Sequence, residues 1–122
     1  MTTNYKKGDS DTRPWGTWEV LESSQNYCVK KITVNPGAIL SLQMHNFRAE
    51  HWIIASGEAM IVLNEDTLYR KQDEAVYIPV KTKHRIKNTS QNQDLVFIEV
   101  QTGDTLDEED IIRFDDNYGR VG

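Results

Sequence analysis

The chain has 122 residues, 38% of them hydrophobic, and a formal net charge of −5. That length holds one domain with a modest core, and the composition is that of a folded protein rather than a disordered one. The lone Cys28 excludes an internal disulfide and a cysteine-built zinc site, no apolar run is long enough for a membrane span, and the acidity argues against nucleic acid, so a cytoplasmic protein is expected.

Residues 1–12 are polar, unlike a signal peptide, and are expected to form a flexible N-terminal segment ahead of a domain over 13–122. After the break at Arg13-Pro14, Trp15 to Leu21 reads as a strand. Tyr27 to Val34 reads as the next, closed by the turn signal Asn35-Pro36-Gly37. Ile39 to Asn46, Glu50 to Ala55, Ala59 to Leu63, Thr67 to Lys71, Ala75 to Pro79, His84 to Asn88 and Leu95 to Gln101 follow as strands. Glu108 to Phe114 fits a short helical turn and a strand equally well. Residues 104–116 hold seven acids against Arg113, a net of −6, which leaves +1 for the rest of the chain. The acidic stretch reads as a solvated face, and the remainder is able to accept an anionic small molecule. Many short, regularly spaced strands in one domain indicate an all-β sandwich or barrel, with a jelly roll as one way to bury both faces.

Two blocks carry the chemistry. In the first, Gly37, Gln43, His45, Glu50 and Gly57 have the spacing of a metal-binding β-barrel motif. In the second, Pro79, His84 and Asn88 supply a distant ligand. Two imidazoles, a carboxylate and an amide oxygen hold a divalent ion while leaving positions for substrate, as active sites do. The two-residue period of strands puts Gln43 and His45 on one face, with Leu40, Leu42 and Met44 on the other. Glu50 shares a face with Trp52 and Ile54, and His51 points away. His84, Ile86 and Asn88 share a face opposite Arg85 and Lys87. Gly37 and Gly57 fit turns where a side chain would clash.

These blocks resemble the paired motifs of the cupin superfamily, with Gln43 where many cupins carry histidine and Asp73 and Lys81 where glycines are common. The resemblance implies an all-β fold, a single cupin barrel (double-stranded β-helix, or jelly roll). More specifically, Arg13-Pro14-Trp15-Gly16, Ser41-Leu42-Gln43-Met44-His45, Arg48-Ala49-Glu50-His51-Trp52 and Tyr77-Ile78-Pro79 resemble type II mannose-6-phosphate isomerase. So do His84-Arg85, Ile98-Glu99-Val100-Gln101-Thr102-Gly103, Glu109-Asp110-Ile111-Ile112-Arg113-Phe114 and Asp116-Asn117-Tyr118-Gly119-Arg120. This is the family of the C-terminal domain of mannose-1-phosphate guanylyltransferases, and 122 residues leave room for the isomerase half alone. The resemblance implies metal ligands at Gln43, His45, Glu50 and His84 and a divalent ion, zinc ahead of manganese, cobalt, nickel or iron. It implies interconversion of mannose 6-phosphate and fructose 6-phosphate through a cis-enediolate, and a homodimer. Phe47 stands where close relatives often have histidine, which is expected to alter the pocket wall.

The reaction also needs a proton carrier tuned toward neutrality and a cation for phosphate. Glu99 is the first candidate for the proton, and His51 the second. Arg48, in the loop between ligand strands, is expected at the catalytic centre with Glu99, and Arg48, Trp52 and Arg113 are the expected sugar-phosphate contacts. Two rivals remain: a non-haem iron cupin dioxygenase, which uses the same two histidines and a carboxylate, and a non-catalytic sugar- or sugar-phosphate-binding cupin.

Overall fold

The computed structural model describes residues 2–3, 5–107 and 109–115. In chain order the strands are β1 (Thr2–Thr3), β2 (Ser10–Arg13), β3 (Gly16–Ser23), β4 (Tyr27–Val34), β5 (Leu42–Met44), β6 (Ala49–Ser56) and β7 (Glu58–Leu63). They continue as β8 (Asp66–Lys71), β9 (Ala75–Ile78), β10 (His84–Asn88), β11 (Leu95–Thr102), β12 (Thr105–Leu106) and β13 (Ile112–Asp115). No helix is present among the described residues, and none is therefore long and apolar enough to cross a membrane.

A six-stranded sheet runs β2-β3-β4-β11-β6-β9 and a five-stranded sheet runs β13-β5-β10-β7-β8. Among the described residues all their pairings are antiparallel, and only the short β1–β12 pair is parallel. Strict alternation builds the layers: on β11, Leu95, Phe97, Glu99 and Gln101 are buried while the residues between them are partly exposed. Ile32, Val34, Trp52, Ile54 and Phe97 from the larger sheet pack with Ala59, Ile61 and Ile86 from the smaller in one core. A second cluster of Tyr5, Val20, Cys28 and Leu106 lies beside it, joined through Trp18.

The segment expected to be loose differs. Ser10 to Arg13 pair with β3, and Tyr5 is buried, with its carbonyl accepting from Ser23 Oγ at 2.8 Å. Polar composition hides this, because one aromatic and backbone pairing are enough to anchor the segment. The strand expected over Ile39 to Asn46 is shorter, and Ile39 contributes an isolated bridge to Lys87. The loop after it is held from elsewhere: His45 O accepts from Lys81 N–H, and the Asn46 and Phe47 N–H groups donate to the Asp110 carboxylate. With no strand at Leu40, alternation fails there and Leu40 packs on the core rather than facing away from Gln43. The ambiguous acidic segment is a turn at Asp107 to Ile111 followed by β13, and Asp116 to Arg120 lie outside the described residues, as does Glu108.

Asp73 and Lys81, at positions where related motifs carry glycine, adopt φ of 75° and 58°. The backbone thus keeps the left-handed turns without the glycines, at some strain. At Gly57, φ is 89° and a Cβ would stand 2.9 Å from Asp94 O, so this turn does require glycine.

Candidate metal centre

Three chain segments converge at one end of the core. His84 opens β10 and pairs with Gln43 of β5; His45 follows β5 directly; Glu50 lies on β6. The ligand-type atoms of His45, Glu50 and His84 all lie within 4.8 Å of one another, and all three residues are buried. His45 Nε2 is 3.2 Å from Glu50 Oε2, and His84 Nε2 is 3.8 Å from Glu50 Oε1.

Backbone carbonyls set the tautomers. His45 Nδ1 meets Asp110 O at 2.6 Å, and His84 Nδ1 meets Thr82 O at 2.9 Å. A carbonyl only accepts, so each Nδ1 carries the proton and each Nε2 turns its lone pair toward Glu50. Burial pushes His45 down to about 4 and lowers His84 too, so both rings are neutral at pH 7. Burial alone would raise Glu50, but Arg48, His45 and His84 outweigh it and hold the carboxyl well below the usual range. Two neutral imidazoles and an ionised carboxylate are the protonation states a divalent ion needs, so these residues fit one.

Further bonds fix the carboxylate. Arg48 Nε donates to Glu50 Oε2 at 2.9 Å, and its other nitrogens reach His45 Nε2 and Tyr5 Oη, each at 3.2 Å. Trp52 Nε1 donates to Glu50 Oε1 at 2.9 Å and to Glu99 Oε2 at 3.2 Å, tying the two acids together. Glu99 is buried, and burial with the neighbouring Glu50 charge pushes it up to about 7, against the pull of Lys30 and Arg48.

Beside the histidines lies a chamber of about 40 Å³. A second, of about 120 Å³, is lined by Arg13, Lys30, Arg48 and Arg113, with Glu99 as its acid. Gln43, Arg48 and Glu99 belong to the walls of both.

Of the residues singled out in the sequence, His45, Glu50, His84, Gln43, Arg48, Trp52 and Glu99 all border the smaller chamber, and Arg113 borders the larger. Gln43 Nε2 donates to Ser41 Oγ at 3.1 Å. Trp52 is less a sugar platform than a strut: it is buried, with Phe97 at 5.0 Å and the edge of His84 at 5.6 Å between ring centroids. His51 is exposed against Tyr77, away from Glu50. Phe47 is 61% exposed and borders neither chamber, so it does not reshape the pocket wall as expected. Lys30, Arg13, Tyr5 and Asp110 were not singled out. Lys30 had a signal: it occupies an inward position of β4 between Cys28 and Ile32. Asp110 lies in the family-like segment Glu109 to Phe114, but no role follows for it there, since it sits in a run of acids that composition reads as solvated.

A family model described as mannose-6-phosphate isomerase C-terminal matches residues 2–116. Xanthan biosynthesis protein XanB of Xanthomonas campestris is 49% identical over 109 residues, which are 89% of this chain and 23% of that protein. Alginate biosynthesis protein AlgA of Pseudomonas putida is 46% identical over 89% of this chain and 22% of its own. Mannose-1-phosphate guanylyltransferase ManC of Salmonella typhimurium is 42% identical over the same shares, 89% and 22%. The chain thus spans less than a quarter of the length of these relatives. Among solved structures, a Klebsiella pneumoniae protein with a double-stranded β-helix domain matches with TM-score 0.69 and 14% identity, over 93% of this chain and 90% of that one. The Schizosaccharomyces pombe Cnp3 cupin domain matches with TM-score 0.69 and 16% identity, over 72% and 64%. The fold is a cupin, a double-stranded β-helix of antiparallel strands.

Proposed function

Because this chain belongs to the mannose-6-phosphate isomerase C-terminal family, we propose that it is a metal-dependent isomerase interconverting mannose 6-phosphate and fructose 6-phosphate. One observation carries the reading: the chamber beside the His45–Glu50–His84 cluster and a cationic chamber share a wall in which Gln43, Arg48 and Glu99 are the polar residues. A sugar phosphate has the matching polarity, with a carbonyl end for one chamber and an anionic end for the other.

A divalent ion held by His45, Glu50 and His84, with Gln43 as a neutral fourth ligand, would polarise the sugar carbonyl and favour negative charge on its oxygen. Glu99 takes the proton from C2 and returns it to C1 of the cis-enediolate, while the hydroxyl proton of O2 passes to O1, so that the C1 carbonyl becomes a hydroxyl and the C2 hydroxyl becomes the carbonyl. Its pKa of about 7 suits transfer in both directions, as a reversible isomerisation requires. Trp52 fixes the Glu99 carboxylate relative to Glu50. Arg48 neutralises Glu50 and stands at the junction, and Arg113 adds positive charge for the phosphate.

The test is a coupled assay for fructose 6-phosphate formed from mannose 6-phosphate. Protein stripped with chelator is reloaded with zinc, manganese, cobalt, nickel or iron(II) in turn. Metal-restored turnover that is lost in His45→Ala and Glu50→Ala supports the isomerase. Folded, metal-loaded protein that is stabilised by the sugar phosphate but turns nothing over is a binding module instead. Oxygen uptake with iron(II) would identify a dioxygenase.

A further inference from the structure

We propose that Lys30 anchors an anion subsite for the phosphomonoester group of the substrate, set in the larger chamber and separated from the histidines by Arg48 and Glu99. This deepens the isomerase reading and rests on it for the identity of the ligand.

Lys30 sits where packing calls for an apolar residue. Its neighbours on the inward face of β4 are Cys28, Ile32 and Val34, all buried, and Lys30 itself is only 7% exposed. A buried ammonium is costly unless something answers its charge. The obvious partner is Glu99, its cross-strand neighbour on β11. Yet the Glu99 oxygens are turned elsewhere, Oε2 to Trp52 Nε1 at 3.2 Å and Oε1 to Gln101 Nε2 at 2.7 Å. Among the described residues the Lys30 ammonium makes no ion pair.

Two aromatic rings hold it instead. Nζ lies 3.8 Å from the Tyr5 centroid and 4.5 Å from that of Trp18, and the two rings meet edge to face. Such faces attract a cation but accept hydrogen bonds poorly, so the three N–H donors keep their capacity for an oxygen-rich ligand. The other cations of the chamber have prior engagements. Arg48 serves Glu50, His45 and Tyr5, and Arg13 is paired with Asp11. Lys30 is therefore the one that gains most from an anion. A phosphomonoester dianion presents several acceptor oxygens and enough charge to meet Lys30 together with Arg113 across the same chamber.

The decisive variant is Lys30→Met, which keeps the unbranched stem against Tyr5 and Trp18 and removes the charge. Calorimetric titration with inorganic phosphate, at constant ionic strength set with chloride, should show binding weakened by about tenfold or more. The KM for mannose 6-phosphate should rise by a similar factor while kcat changes by less than about threefold. Folded Lys30→Met with unchanged phosphate affinity and unchanged KM overturns the subsite and leaves the isomerase standing. Loss of phosphate binding in that variant supports the subsite even where no isomerase turnover is found. Should Lys30→Met fail to fold, wild-type protein labelled with 13C-lysine answers the question. A saturable shift of the Lys30 Cε resonance on adding phosphate supports the proposal. A resonance that stays still, or moves equally with chloride, overturns it.

Discussion

Glu50 has no contact with solvent to speak of, and each of its bonds has a different purpose. Arg48 balances its charge, the two histidines bring their Nε2 atoms to within 3.2 and 3.8 Å of its oxygens, and the Trp52 indole fixes the plane of the carboxylate. Trp52→Phe removes that one donor while keeping a ring against Phe97. Metal affinity should fall by about 10–100-fold, as for other partners of metal ligands, in competition titrations with a chromophoric chelator. An unchanged affinity would mean that Arg48 alone orients Glu50. The convergence of His45, Glu50 and His84 was legible because motif spacing and strand alternation agree on it. The role of Trp52 was not, because the hydrogen bond of an indole to a residue two positions back depends on rotamers that alternation does not specify. Lys30 is hidden in the sequence for a different reason: a lysine in a strand is ordinarily solvent-facing, and only the burial of its neighbours shows that this one points inward.

At the scale of elements, most strands could be read directly, and Tyr27 to Val34 and His84 to Asn88 have the bounds that the sequence suggested. The misreadings fall where tertiary contacts override local signals. Residues 5–13 are polar, but Tyr5 closes the second core cluster over Cys28 and reaches Arg48. Cys28 is fully buried, and burial pushes its thiol up to about 11, so a disulfide reagent should label it only through local opening. Tyr5→Ala should raise the labelling rate by about tenfold or more without global unfolding. An unchanged rate would show that the N-terminal segment does not cover the thiol. The turn at Lys81 gives a second test. A non-glycine residue in the left-handed region costs about 1–2 kcal/mol, and glycine costs about 0.4–1 kcal/mol through the unfolded chain. Lys81→Gly should therefore stabilise the protein slightly, by about 0.5–1 kcal/mol in urea denaturation. A net loss would mean that the Lys81 side chain, not its backbone, is what the turn needs.

For the whole molecule, burying this much ionisable chemistry in a small core makes stability depend on pH in two opposing ways. Glu99 is raised from an ordinary 4.5 to about 7, so the folded state keeps a proton that the unfolded chain has released. Its contribution is fully present below 4.5 and is lost as the pH rises through about 7. His45 is depressed from 6.5 to about 4, so its contribution is present above 6.5 and is lost as the pH falls through about 4. His84 shifts in the same direction. Between 4.5 and 6.5 the acid and the histidines therefore pull against each other, and the stability of chelator-treated protein should vary less with pH than either effect alone dictates. Glu99→Gln removes one side of that balance. In urea melts with chelator present, the variant should gain on the wild type as the pH rises from 4.5 to 7, with the difference constant above that window. If the difference instead stays flat from 4.5 to 7, Glu99 is ionised in the folded protein well below neutrality. It would then hold no proton to give back at C1, and the proton carrier of the proposed isomerase would have to be sought elsewhere around the chamber.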